Sequence, residues 1–124
     1  MNNTKHRFIS DFTPVENGII LSIKGELDAS SSLMAINIME SMVLSGAGNL
    51  ILDCSQLSYI SSAGIGVILS VYHLSLEKHT ILTLFGLQPQ IKELFEALGI
   101  DNLLRITSTK EEAMIPTAVA SRLA

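Results

Sequence analysis

The spacing of apolar residues changes from segment to segment along this chain, and each change marks an element. Leu50, Ile51 and Leu52 form an unbroken apolar run, which predicts a short strand buried on both faces. Asp53 ends that run, and residues 54–56 read as a polar connection. A cluster of small residues at 61–64 then leads into Ile65, Ile68, Leu69 and Tyr72, spaced as the buried face of a helix that continues to about Glu77.

Upstream, residues 7–12 predict an irregular first strand, followed by a turn around Pro14 and Asn17-Gly18, a pair in which both residues tolerate positive φ. Ile19, Ile20, Leu21 and Ile23 then predict a strong strand ending at Lys24-Gly25 and pairing antiparallel with the first. Asp28 or Ser30 is the expected cap of a helix over 30–44, with Leu33, Ile36, Met39 or Glu40, and Val43 on successive turns and Gly46 and Gly48 beyond its end.

Downstream, Ile81, Leu82, Leu84 and Phe85 predict a strand, and its arrival after a strand and a helix argues for a parallel unit with a right-handed crossover. A further helix fits 87–99: Pro89 suits its first turn, Ile91, Leu94, Phe95 and Leu98 fall at i, i+3, i+4 and i+7, and Gly99 supplies the stop. Thr109-x-x-Glu112 is a capping box for a last helix carrying Ala113, Ile115, Val119 and Leu123, which Pro116 should kink or break near Ile115, leaving a loosely held end. The pattern is that of an α/β protein.

Composition narrows the function. The 124 residues suffice for one core, and 48% apolar against 16% charged residues argues for a folded domain over a disordered chain. A formal charge of −4 with no Lys/Arg cluster lacks the electrostatics that nucleic-acid binding needs. The single cysteine, Cys54, reads as a core or loop thiol suited to a reducing cytoplasm. There is no apolar stretch of signal-peptide length and no run near the ~20 residues of a membrane span, so a soluble chain without membrane insertion is expected.

Few residues stand at the spacings that catalysis or metal binding needs. His6, His73 and His79 are scattered, none at metal-ligand spacing, so no metal is expected. Gly64-x-Gly66 lacks the third glycine of a dinucleotide site and the Gly-Lys-Ser/Thr of a P-loop, so no cofactor is expected. No G-x-S-x-G surrounds Ser62 and nothing nominates a His or acid partner, which argues against catalysis. Met34, Met39 and Met42 share one helix and read either as core or as an adaptable binding face.

What remains is the position of the serines. The first N–H groups of a helix lack intrahelical partners and carry partial positive charge, so an anion is stabilised there. Ser61 or Ser62 is therefore open to two readings: a helix cap followed by small residues that let the helix pack close to the sheet, or a regulatory phosphoserine whose phosphate meets the same N–H groups.

The segment L-I-L-D-C-S followed by L-S-Y-I-S-S-A-G-I-G-V-I-L resembles the STAS domain of bacterial anti-sigma-factor antagonists, in which a D-S-[ST]-G-[LI]-G element opens a helix with its first serine as phosphoacceptor. The matching residues here are Ser61, Ser62, Ala63, Gly64, Ile65 and Gly66, which puts the acceptor on Ser62. Ser61 stands where the better known antagonists have aspartate, and Ala63 where they have a second hydroxyl; Ser61 thereby becomes a rival acceptor. G-E-L-D at 25–28 and L-Q-P-Q-I-K-E-L-F-E-A-L-G-I-D-N-L-L at 87–104 extend the likeness over nearly the whole chain, the latter implying an edge strand at 103–106.

The resemblance implies a single domain over 1–124, with 1–6 and about 116–124 loosely ordered, and a mixed sheet of four or five strands with helices mainly on one face. It implies a partner surface of Asp28, Ser61, Ser62, Ala63 and Gly64. The unphosphorylated monomer would bind an anti-sigma factor that is also a serine kinase, freeing a sigma factor. Phosphorylation would end binding, and a serine phosphatase would restore it. The alternative within the family is an unphosphorylated STAS adaptor of a lipid-transport ATPase or a larger signalling assembly.

Overall fold

Asn17 adopts a positive φ of 62° in the two-residue turn Glu16-Asn17, which joins β1 (Ile9–Val15) to β2 (Gly18–Leu27) as an antiparallel hairpin. The antiparallel pairing is as expected, but the turn sits one residue earlier than the Asn-Gly pair suggests: Gly18 already pairs with Val15, and Pro14 lies within β1 opposite Ile19. The computed structural model describes residues 7–115. After β2 come α1 (Ser32–Leu44), β3 (Asn49–Ile60), α2 (Ser62–Glu77), β4 (Ile81–Phe85), α3 (Pro89–Leu98), a 3-10 turn at Ile100–Asn102, β5 (Arg105–Thr107) and α4 (Lys110–Ala113).

The five strands form one mixed sheet in sequence order, with β1 antiparallel and all other neighbours parallel. Strand residues alternate between its two faces. Leu21, Ile23, Leu50, Leu52, Leu82 and Leu84 point into the main core, where Ala35, Met39, Val43, Val67, Ile68, Val71, Ile91 and Phe95 of α1, α2 and α3 cover them. On the other face Ile20, Ile51 and Phe85 form a smaller cluster under Ala113 of α4. The α/β class, the mixed sheet and the placement of the longer helices on one face are as expected.

Several local expectations need correction. Asp53 does not end the central strand. It ends only the pairing with β4; β3 continues to Ile60 beside β2, with register shifts between Ser22 and Lys24 and between Gly25 and Glu26. Cys54, Leu57 and Ile60 are buried along this second half, where the shifts break the alternation that would have marked a strand.

The helix faces also differ. α1 buries Ala35, Met39 and Val43, while Leu33 is 72% exposed. Apolar residues surround this helix on most sides, so spacing alone had no direction to choose. α2 buries Gly64, Val67, Ile68, Val71 and Ser75, a face rotated from the expected Ile65, Ile68, Leu69 and Tyr72 because two small residues admit the closest approach. In α3, Ile91 and Phe95 are buried, Leu94 is half-buried and Leu98 exposed.

The short helix α4 is held by a residue that no pattern nominated. The edge strand is Arg105–Thr107, not 103–106, since the N–H groups of Leu103 and Leu104 both bond back to the Ile100 carbonyl and close a turn there. The Arg105 guanidinium donates to Thr83 Oγ1 at 2.6 Å and to the carbonyls of Ala113, Ile115 and Glu112 at 3.1, 3.1 and 3.3 Å. A cation thus satisfies carbonyls at the C-terminus of α4 while its stem is fixed to the sheet. The capping box forms at the other end, with Thr109 Oγ1 accepting from the Glu112 N–H and Glu112 reaching back to the Thr109 N–H. The expected kink at Pro116 and the positions Val119 and Leu123 lie outside the described residues.

Candidate functional site

Because β2 and β3 run parallel and end level, with Leu27 beside Ile60, the loops that leave them lie side by side at the carboxyl end of the sheet. The Ser61 N–H donates to the Leu27 carbonyl at 3.0 Å, which ties the start of α2 to the end of β2. This crossing brings together the residues singled out from sequence.

Ser61 is the N-cap of α2. Its backbone is extended, at φ −97° and ψ 178°, and its hydroxyl accepts from the Gly64 N–H at 3.3 Å. It is half-buried. Ser62 is the first residue of the helix and is exposed, and its hydroxyl makes no hydrogen bond among the described residues. One serine is engaged in the cap; the next presents a free hydroxyl beside the helix N-terminus. Ala63 is half-buried, and Gly64 is buried against Leu27 and Ile60, leaving it no surface to offer.

Asp28 does not cap α1, and neither does Ser30. The N-cap is Ser31, without a side-chain cap bond. Instead Asp28 Oδ1 accepts from the Ser30 hydroxyl at 2.8 Å and from the backbone N–H groups of Ser30 and Ser31 at 3.0 and 3.2 Å, closing a turn before the helix. The Ser30 hydroxyl, followed by the other bonds of this turn, holds the carboxyl below its ordinary range against an opposing effect of burial. The Ser31 hydroxyl, buried, donates to the Glu26 carbonyl at 3.0 Å and accepts from the Asp28 N–H at 3.0 Å. Ser31 is the site residue that sequence reasoning missed; its only signal was its place in the middle of a run of three serines.

Between α1 and α2, next to Ser62, lies a shallow depression of about 340 Å³ lined by Ser32, Leu33 and Ile36 of α1 and Ala63, Gly66, Val67 and Ser70 of α2. No charged residue lines it. Leu33 and Met34 expose large apolar surface at this end of α1. Cys54, by contrast, is buried beneath the sheet's helical face, and burial, aided by the neighbouring Asp53 charge, pushes its thiol far above the range in which a thiolate forms. No group of three or more His, Cys, Asp or Glu is placed to hold a metal among the described residues, and no helix there is long and apolar enough to cross a membrane.

A small mixed-sheet domain with a serine at the start of its second helix is the class of protein that this geometry defines. The STAS domain family model matches residues 12–113, and the chain belongs to that family. It is 27% identical over 94 residues to an anti-sigma-B factor antagonist of Listeria monocytogenes, a match covering 76% of this chain and 82% of that relative. Among solved structures, an anti-sigma factor antagonist from Mycobacterium paratuberculosis superposes with a TM-score of 0.81 at 19% identity, over 93% of this chain and 96% of that one. The Bacillus cell fate determinant SpoIIAA in its phosphorylated form superposes with a TM-score of 0.64 at 18% identity, over 95% of this chain and 100% of that one.

Proposed function

We propose that this chain is an anti-sigma-factor antagonist switched by phosphorylation of Ser62. The observation that carries the reading is the division of labour at the start of α2: Ser61 performs the cap, so the exposed Ser62 hydroxyl is free to be modified. The name of the Listeria relative supports the antagonist role. In this reading the unphosphorylated surface around Ser62, Ala63, Ser61 and the Asp28 turn binds an anti-sigma factor that is also a serine kinase. ATP belongs to that kinase, and a serine phosphatase reverses the modification.

A phosphate on Ser62 adds about −1.5 to −2 charges beside helix N–H groups that tolerate it, so the fold need not change. The effect falls on the interface, where a partner fitted to a neutral hydroxyl has to desolvate a dianion. A loss of about 3 kcal/mol there weakens binding more than a hundredfold. Ser61 is the poorer acceptor, because its hydroxyl is half-buried and already engaged with the Gly64 N–H, whereas that of Ser62 is exposed.

The test is mass spectrometry of the protein from its own host, with and without phosphatase, and calorimetry against the purified anti-sigma factor of that host. One phosphate on the Ser62 peptide is expected. Ser62→Ala should bind constitutively, Ser62→Asp should weaken binding in part, and Ser61→Ala should remain a substrate. If no growth condition yields a phosphate on either serine, the phosphoswitch falls and the unphosphorylated adaptor role takes its place.

A further inference from the structure

Seven of the chain's eight glycines have a local reason to be glycine. Each either holds φ in the left-handed region or has a neighbour within contact distance of where a Cβ would stand. Gly66 has neither: it lies inside α2 with ordinary helical backbone, it is exposed, and a Cβ there would meet nothing within 4 Å. Glycine inside a helix weakens it relative to alanine, because the unfolded backbone has more freedom to lose. This position carries that penalty with no return inside the domain.

Gly66 is four residues after Ser62, so the two lie on one face of α2, a single turn and about 6 Å apart. A protein that covers the Ser62 hydroxyl therefore also covers Gly66. It meets there the uncharged depression walled by Leu33, Ile36 and Val67, with Leu33 72% exposed. We infer that Gly66 is a specificity-determining contact for the protein partner, keeping the α2 backbone bare so that an apolar side chain of the partner packs across it between α1 and α2. The inference rests on the reading of Ser62 as the partner surface and adds the chemistry of what is recognised. It also gives the phosphate a second lever: a dianion one turn away would have to lose water beside an apolar contact.

The experiment needs two variants, Gly66→Ala and Gly66→Leu. In thermal unfolding of the isolated chain, Gly66→Ala should raise the midpoint by roughly 2–5 °C, since it improves the helix and clashes with nothing. In calorimetry against the purified anti-sigma factor of the host, the same substitution should weaken binding at least tenfold, and Gly66→Leu more. A lowered melting point for Gly66→Ala would show an internal packing role and overturn the inference. So would affinities within twofold of wild type for both variants while phosphorylation of Ser62 still abolishes binding, a result that leaves the switch standing. If the wild-type chain binds no anti-sigma factor, the switch and this contact fall together.

Discussion

Gly64 packs directly onto Leu27, so closely that a methyl group on its Cα would stand 2.9 Å from Leu27 Cγ and overlap the Leu27 carbonyl oxygen. The same carbonyl accepts the Ser61 N–H at 3.0 Å. The first turn of α2 is therefore seated on the end of β2 through a residue that can carry no side chain, and the height of Ser62 above the sheet depends on it.

Gly64→Ala should accordingly destabilise the domain by about 1–3 kcal/mol, the usual cost of forcing an atom into a packed site, because the obstructing atoms include backbone. Chemical denaturation measures it. An effect below about half a kcal/mol would mean that the start of α2 moves freely, against the seating described.

Core substitutions should separate by burial. Leu52, with no exposed surface at the centre of the sheet, should cost roughly 2–5 kcal/mol as Leu52→Ala. Leu94 is only half-buried, and Leu94→Ala should cost no more than about half as much. The same denaturation series decides it, and equal losses would contradict the register of α3.

Asp28 makes a pH-dependent contribution whose sign follows from its lowered pKa. A carboxyl held below its unfolded value stabilises the fold at pH above the ordinary carboxylate range and loses that contribution as pH falls through the folded pKa. The difference in stability between wild type and Asp28→Ala should therefore be present at pH 7 and shrink below about pH 4. Asp28→Asn keeps an acceptor oxygen for Ser30 and Ser31 and should sit between them. A gap that widens on acidification would refute the turn-closing role.

Arg105→Ala should release α4. It removes the donor to the carbonyls of Glu112, Ala113 and Ile115 and leaves the buried hydroxyl of Thr83 without its 2.6 Å partner, at a cost of about 1–3 kcal/mol. Amide exchange should quicken at Met114 and Ile115 well before it changes in β3. Arg105→Lys, with one compact ammonium in place of a planar fork, should restore only part of the protection.

Much of this fold was legible because its signals are local. The turn at Asn17, the apolar run at Leu50 to Leu52, Pro89 and Gly99 at the two ends of α3, and the Thr109/Glu112 capping box each act over a few residues, and each appears in place. The serines at the start of α2 were legible for the same reason: small polar residues before a helical repeat have few other uses. The family followed from that same stretch.

What depends on a distant neighbour, or on a choice between competing local bonds, was not legible. The second half of β3 looked polar because its one partner, β2, is more than 30 residues away and meets it with shifts in register. Asp28 looked like a helix cap because its choice between a cap and a turn depends on where Ser30 and Ser31 stand. Arg105 gave no sign of its four acceptors, which lie in other elements. By itself the sequence determined the order of the elements, their punctuation and the place of the two serines, since propensity, capping and periodicity act within a turn or two. Only the tertiary structure decided which serine is spent on the cap and which is free, that Gly64 is closed by Leu27, and that Gly66 is open. The first depends on the Ser61 N–H being tied to the Leu27 carbonyl and the others on what surrounds each glycine, all of it settled only when the chain has packed.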